Sequence, residues 1–382
     1  MKNENCKLKI LFLAASNSIH SVRWIKYFYE KGHEIIWVSL APPIDEAKEL
    51  ISSAKIQTSS NNPNIKYYEI KPSPLSDING SFAIRYLPSA VYQLKKIIQK
   101  EKPDLMHIHS AGTYGLVGAL SGFKPIFLTP WGSDILLVSN FKKFFVKLSI
   151  RKADLFTCNG ENTRQALINF GVKPEKIKMI RFGTDIEKFK PNYQLPTTNS
   201  KPKIISLRNL EPVYDIETLI KAAEIVLKEF SDIEFQIIGD GSEREYLENL
   251  AKKLGVEKNV KFLGKVQNQF IPEYLQSADI YVSTSLSDSG LAASTAEAMA
   301  CGLPVVVSDS GDNKEWVKDF ENGFVVPLRN PEILAEKILY LVKNEDERKK
   351  MSENNRKLIE EKNNYYKEME KMEEIYRGLT KK

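Results

Sequence analysis

The sequence predicts an α/β chain built as two doubly wound parallel sheets. Three observations carry this expectation: apolar strand-length runs alternate with helix-period segments through the first half, the alternation stops in a polar stretch bearing prolines, and it then restarts. The 382 residues suit two domains of ordinary size, and 42% hydrophobic with 27% charged residues excludes a disordered, collagen-like or coiled-coil chain.

Lys9–Ala14 is a continuous apolar run, as a parallel strand covered on both faces requires. Val22–Glu30 follows with apolar residues at Val22, Ile25, Phe28 and Tyr29, and Gly32 ends it. Glu34–Leu40 is a second strand and Lys66–Ile70 a third, after the polar loop Gln57–Ile65. Ala83–Lys100 has helical periodicity. Asp104–Ile108, Pro125–Thr129 and Asp154–Cys158 read as short strands, with helical segments at Leu116–Leu120, Phe141–Arg151 and Thr163–Phe170. Phe189–Lys203 is polar, holds three prolines and reads as a linker. Beyond it come strands at Ile204–Leu207, Glu234–Ile238, Val260–Leu263, Asp279–Ser283 and Pro304–Val307. Helices at Ile216–Glu229, Glu243–Leu254, Ile271–Ser277 and Thr295–Ala300 separate them. The expected organisation is residues 1–188, a linker at 189–203, a second domain at 204–362, and a last helix within 363–382 that crosses back to the first domain. A cleft between the domains is where such sheets place ligands, beyond the carboxyl ends of their strands.

The net charge of +6 conceals an asymmetry. Residues 1–195 hold 28 Lys and Arg against 16 Asp and Glu, whereas the remainder is acidic by six charges. The small total and the lack of aromatic–basic interleaving argue against nucleic acid. Cys6, Cys158 and Cys301 are too far apart for a zinc cluster or a disulfide framework and suit a reducing cytosol. Met1–Lys7 is polar, so no secretory signal is read there, and no run approaches the roughly 20 apolar residues of a membrane span. A cytoplasmic chain is expected.

Four segments carry chemistry. Ser285–Asp309 reads as strand, Gly-containing loop and helix, the arrangement that aims backbone N–H groups and the helix dipole at a phosphate. Gly290 lets a ligand approach the backbone, and Glu297 stands in the first helical turns, where a carboxylate accepts hydrogen bonds from vicinal hydroxyls. Ser294 and Glu297 also match the spacing of a capping box, and from spacing alone both readings stay open. Ile237–Glu245 contains Gly239-Asp240-Gly241 between a strand and a helix, which fits either a nucleotide loop or a tight turn. In Asp104–Gly115, His107 and His109 point to one side of a strand end, and His109 is placed to reach a ligand, by hydrogen bond or proton handling, or else bonds the backbone. Phe141–Lys152 sets apolar residues at helical spacing among five lysines and arginines; it either packs its apolar stripe on the sheet, which is the favoured reading, or lies on an anionic membrane surface.

Together these residues resemble the family-4 retaining glycosyltransferases of the GT-B fold. The resemblance spans nearly the whole chain: IIGDGSEREYLENLAKKLG, VKFLGKV, ADIYVSTSLSDSGLAASTAEAMACGLPVVVSD and ENGFVVP in the second half, with KGHEI, PDLMHIHSAGTYG, ADLFTCNGENTRQAL and IRFGTDIEKF in the first. It implies two Rossmann-like domains and transfer of a sugar from a UDP- or GDP-sugar to a hydroxyl of a glycan or lipid-linked acceptor in cell-surface glycan synthesis. That places the chain in the cytoplasm at the inner face of the membrane. It further implies retention of configuration and no cofactor or metal beyond the nucleotide-sugar co-substrate. Donor binding would fall to Gly239, Asp240, Lys265, Asp288, Ser289, Gly290, Leu291 and Glu297, and the acceptor side to Ser16, Asn17, His20, Arg23 and Gly112. His109 and Arg208 would serve catalysis. Three departures stand out: Ser289 occupies the first glutamate position of the E-x7-E motif, Tyr214 stands where a lysine is expected, and SNSIHSVRW replaces the glycine-rich loop after the first strand. These departures motivate the alternatives of a non-catalytic sugar-nucleotide-binding protein or a sugar-nucleotide 2-epimerase of the same fold.

Overall fold

A computed structural model describes residues 7–56, 65–71, 86–192 and 201–380. Apolar runs in this chain become parallel strands because they are covered on both faces. In the first sheet these are β1 (Lys9–Leu13), β2 (Glu34–Ser39), β3 (Ile65–Glu69), β4 (Leu105–His109), β5 (Ile126–Thr129), β6 (Leu155–Cys158) and β7 (Ile177–Met179). In the second they are β8 (Lys203–Leu207), β9 (Glu234–Ile238), β10 (Val260–Gly264), β11 (Ile280–Ser283), β12 (Val305–Ser308) and β13 (Gly323–Val326). The strand orders are β3-β2-β1-β4-β5-β6-β7 and β10-β9-β8-β11-β12-β13, and the named pairs are parallel. Two Rossmann-like sheets are therefore present, as the alternation predicts. Each order reverses beside its first strand, between β1 and β4 and between β8 and β11. Loops leaving those carboxyl ends run in opposite directions and open a crevice.

The chain forms two compact units, residues 1–180 with 369–382 and residues 181–368. In the first, Leu11, Leu13, Ile36, Val38, Met106 and Ile108 form the sheet side of one core. Its closing segment comes from the last helix, Tyr365–Thr380, whose Met369, Met372 and Tyr376 are fully buried. The Tyr376 ring lies 4.9 Å from Phe28 and 5.0 Å from Phe127, and burying a side chain of this size stabilises the unit by about 1.5–3 kcal/mol. In the second unit Ile204, Phe235, Ile280, Val306 and Phe324 centre the core. Arg356 ties its parts together by donating to the carbonyls of Phe189 at 2.8 Å and Ala300 at 3.1 Å.

Several elements differ from the sequence expectation. The helix expected at Ala83–Lys100 runs Leu87–Glu101, with a proline in its first turn; residues 83–85, like 57–64 of the polar loop and 193–200 of the linker, lie outside the described residues. Helices at Asp45–Ile56, Pro331–Lys343 and Glu345–Lys362, and strands β7 and β13, are additions. Glu345–Lys362 buries only Met351, Asn355 and Ile359, so it carries no apolar stripe to read. The edge strand β7 pairs on one side alone and has no continuous apolar run. Among the described residues no helix is long and apolar enough to cross a membrane.

Candidate active site

In the first unit, the loops after β1 and β4 open a cavity of about 310 Å³, lined by Ala15, Ser18, Ser21, His109, Thr113 and Trp131 among others. His109 ends β4 and is 1% exposed. Its Nδ1 lies 3.2 Å from Ser21 Oγ, while Nε2 is buried without a hydrogen-bond partner. Burial and the neighbouring His20 push its pKa down to about 3, so the ring is neutral near pH 7. A neutral imidazole with one nitrogen fixed leaves the other for a single hydrogen bond to a ligand hydroxyl.

The cavity wall is held by a residue that sequence reasoning missed. Asp134 lies in the first turn of the short helix Ser133–Leu136, and its Oδ1 accepts from the N–H groups of Trp131 at 2.8 Å and Gly132 at 3.0 Å. Its Oδ2 accepts from Ala111 N–H at 2.6 Å, which locks the loop after β4 to the loop after β5. Burial raises its pKa, and these N–H donors oppose that shift. Trp131 reaches the His109 ring at 5.1 Å and the His20 ring at 5.4 Å. The available signal was Pro-Trp-Gly-Ser-Asp directly after a strand, an aspartate placed to accept at a helix start.

The expected acceptor-side residues separate. Ser16 is fully buried, and its hydroxyl bonds Ser39 Oγ at 3.0 Å, Ala41 O at 2.7 Å and Tyr67 OH at 3.1 Å, so it is a structural strut and not a cavity residue. Asn17 is exposed, and Arg23 sits half-buried on the first helix. His20 touches Trp131, and burial with Arg23 nearby pushes its pKa to about 4. Gly112 precedes helix Thr113–Ser121, and its N–H donates to Ser110 Oγ at 3.2 Å. His107 faces the same side as His109 with ring centroids 4.7 Å apart, but both its nitrogens are committed, Nδ1 to the Tyr376 hydroxyl and Nε2 to Thr129 Oγ1 at 2.6 Å.

In the second unit, Arg208 follows β8 and crosses to the loop after β11. Its Nε donates to Ser283 Oγ at 2.9 Å and its Nη2 to Asp288 Oδ2 at 2.8 Å. Burial and Arg208 act oppositely on Asp288, and burial prevails to raise its pKa. The guanidinium lies 5.4 Å from the ring centroid of Tyr214, the residue in place of the expected lysine. Leu286 N–H donates to Val213 O at 2.8 Å and Thr284 Oγ1 to Tyr214 O at 2.9 Å, so the two loops are tied together. Asp288, expected among the donor-binding residues, is engaged by Arg208 through one carboxylate oxygen.

The same loop leads through Ser289, Gly290 and Leu291 to helix Ala293–Ala300. Gly290 has φ +66°, a left-handed conformation that other side chains resist. The helix N-cap is Ala292, with no side-chain cap. Ser294 lies inside the helix and accepts the Tyr281 hydroxyl at 2.9 Å, so the capping-box reading of Glu297 fails. Thr295 is fully buried and its Oγ1 has no partner. This helix start offers N–H groups that no described side chain caps, at the end of the loop that Arg208 holds through Asp288.

Gly239 and Asp240 are different. A Cβ at Gly239 would fall 2.1 Å from Arg208 O, so glycine is required by close backbone approach of neighbouring strand ends. The Glu211 carboxylate accepts from Ser242 N–H at 3.0 Å and Ser242 Oγ at 2.6 Å, occupying the anion position before helix Arg244–Lys253. The nucleotide-loop reading of Gly239-Asp240-Gly241 is therefore replaced by a structural turn. Lys265 is exposed just past the carboxyl end of β10.

Residues 9–160 match the family model of glycosyl transferase 4-like proteins and residues 187–358 that of glycosyl transferases group 1. An uncharacterized glycosyltransferase of Methanocaldococcus jannaschii is 31% identical over 71% of this chain and 74% of its own length. The UDP-Gal:alpha-D-GlcNAc-diphosphoundecaprenol alpha-1,3-galactosyltransferase of Escherichia coli is 27% identical over 75% of this chain and 78% of its own. The structure of HepE from Anabaena, solved in complex with UDP-glucose, superposes with a TM-score of 0.79 at 21% identity, covering 97% of this chain and 100% of that one, and shares the fold. Fold and matches together define a two-sheet GT-B protein. The chain belongs to the family-4-like glycosyltransferases, enzymes of glycan biosynthesis.

Proposed function

We propose that the chain is a retaining glycosyltransferase that takes a sugar from a UDP-sugar and adds it to a hydroxyl of a saccharide on a lipid-linked acceptor at the inner membrane face. The observation that carries this reading is the uncapped start of helix Ala293–Ala300 after the Gly290 turn, at the end of the loop that Arg208 holds through Asp288. A diphosphate placed there would meet backbone N–H groups, the positive helix end and a guanidinium, which together offset the charge that develops as the glycosidic bond breaks. Such a clamp needs no metal. Glu297, in the second turn, would accept from ribose hydroxyls. In the first unit, His109 Nε2 would bond a hydroxyl of the acceptor. The acceptor proton would pass to the departing phosphate oxygen, so a neutral His109 orients and does not act as base. UDP is preferred over GDP because the Escherichia coli relative is named for a UDP-sugar and the Anabaena structure holds one. The lipid-linked acceptor rests on that relative's name and on the basic first half of the chain.

A binding-only reading is favoured by one observation: Arg208 is already paired with Asp288, and Tyr214 supplies no second cation. Incubation with radiolabelled UDP-glucose, UDP-galactose and UDP-N-acetylglucosamine, with and without a polyprenyl-diphosphate sugar, separates the two. The proposal expects label in the lipid fraction and α-linkage in the product. Tight UDP-sugar binding with neither transfer nor hydrolysis would establish the binding-only protein, and conversion of UDP-N-acetylglucosamine without acceptor would establish an epimerase.

A further inference from the structure

Helix Asn140–Lys152 buries Val146 and Ile150 on the first sheet, yet leaves Phe144 70% exposed, and Leu137 just before it is 61% exposed. Phe144, Lys147 and Arg151 fall at spacings of three and four residues and share one helix face. Lys147 and Arg151 also line a cavity of about 650 Å³ whose far side carries Lys173 and Lys176, with Ile150 and Phe156 among its apolar lining. Ala153 and Lys176 precede β6 and β7, so this cavity opens at the amino ends of those strands, away from the carboxyl-end loops that hold His109. Among the described residues none of the four cations is ion-paired with a carboxylate. Glu175, between Lys173 and Lys176 in sequence, is exposed. Four unneutralised cations converging on an apolar-lined hollow repel one another, and a bound anion with an apolar body relieves that repulsion. The adjoining aromatic extends the apolar surface out of the protein, and lysines at 142 and 143 flank it.

We propose that this face of the first unit docks on a bilayer containing anionic phospholipid, with a lipid phosphodiester seated among Lys147, Arg151, Lys173 and Lys176, and Phe144 entering the headgroup boundary. The combination of an exposed aromatic side chain with a basic rim is that of an interfacial helix, and the charge complementarity selects an anionic surface. The contact does not depend on the transfer chemistry.

Co-sedimentation of the full chain with vesicles tests it. The protein binds phosphatidylcholine vesicles containing phosphatidylglycerol, does not bind phosphatidylcholine alone, and is released by salt. Lys173→Ala with Lys176→Ala lowers the partition coefficient about 25-fold, from roughly fivefold per basic side chain. Phe144→Ser lowers it about tenfold. All three side chains are exposed, and unchanged melting temperatures of the variants show that folding is kept. Equal binding to both vesicle types, or binding unaffected by these substitutions, overturns the proposal. Inorganic phosphate raising the melting temperature of the native chain and not of the double variant, while no vesicle binds, also overturns it, by assigning the cavity to a free anion.

Discussion

Arg208 Nη2 donates to Asp288 Oδ2 at 2.8 Å, and both side chains are only 9% exposed. The pair joins the first strand end of the second unit to the loop that leads into helix Ala293–Ala300. A buried ion pair of this kind adds little net stability over an apolar pair, but its halves cannot be removed singly. Asp288→Ala leaves a guanidinium buried without its counter-charge and should cost about 3–5 kcal/mol in urea unfolding. The double variant Arg208→Met with Asp288→Leu should recover most of that loss while abolishing UDP binding. Equal stability of Asp288→Ala and the native chain would show that the pair is not coupled.

Glu297→Gln keeps the shape of the side chain and removes its charge. Because Ala292, and not Ser294, caps the helix, stability should change by less than about 0.5 kcal/mol. UDP-sugar affinity, measured by calorimetry, should fall at least tenfold, as expected on losing hydrogen bonds to a charged acceptor. The reverse pattern, lost stability with retained affinity, would restore the capping role.

The histidine pair makes the first unit acid-sensitive. His109 has a folded pKa of about 3 against an ordinary 6.5, and His107 is also lowered, both first through burial. A depressed histidine pKa means that the fold prefers the neutral ring. Its contribution is complete above the unfolded value and is lost as pH falls from 6.5 toward 3. Between pH 7 and pH 5, His109 alone should account for about 2 kcal/mol of lost stability. His109→Gln should flatten the dependence by that amount in urea midpoints taken at the two pH values. An unchanged slope would place the acid sensitivity elsewhere.

Tyr376 reaches His107 from the closing segment of the first unit. Tyr376→Phe keeps the packing against Phe28 and Phe127 and leaves His107 Nδ1 buried without its partner, which should cost about 1–3 kcal/mol. Tyr376→Ala adds a cavity and should cost about 3–5 kcal/mol. If both substitutions shift the thermal midpoint equally, the hydroxyl matters and the ring does not.

Gly239→Ala tests the turn reading. The added Cβ would meet the Arg208 carbonyl at 2.1 Å, a backbone atom that cannot rotate away. The expected loss is about 1–3 kcal/mol, with UDP affinity unchanged once the protein is folded. A selective loss of nucleotide binding would return Gly239 to the ligand site.

Legibility followed the range of the interactions. β1, β2, β8 and β12 were readable because each is an apolar run bounded by polar residues, and both faces of each are covered. Gly290 and the helix after it were readable because a positive-φ turn before a helix is a local matter. Asp134 and Glu211 were less so, since each also takes a backbone N–H from another loop: Ala111, 23 residues away, and Ser242, 31 residues away. Ser16 and Asp288 were placed near a ligand by chain position, whereas partners far along the chain consume them: Ser39 and Ala41 for the one, Arg208 for the other.

By itself the sequence determined two parallel α/β sheets and their family, because hydrophobic periodicity and glycine placement act over a few residues and survive any tertiary arrangement. Only the folded units decided which polar groups are already satisfied. His107 and His109 are two residues apart on one strand, yet one is enclosed between Tyr376 and Thr129 while the other keeps a buried Nε2 without a partner on a ring that lines a cavity. The physical reason is that a buried donor or acceptor takes whichever partner the packing brings to it. Those partners lie 269 residues ahead and 22 residues ahead for His107, and 88 residues back for His109 Nδ1, beyond the reach of any local pattern.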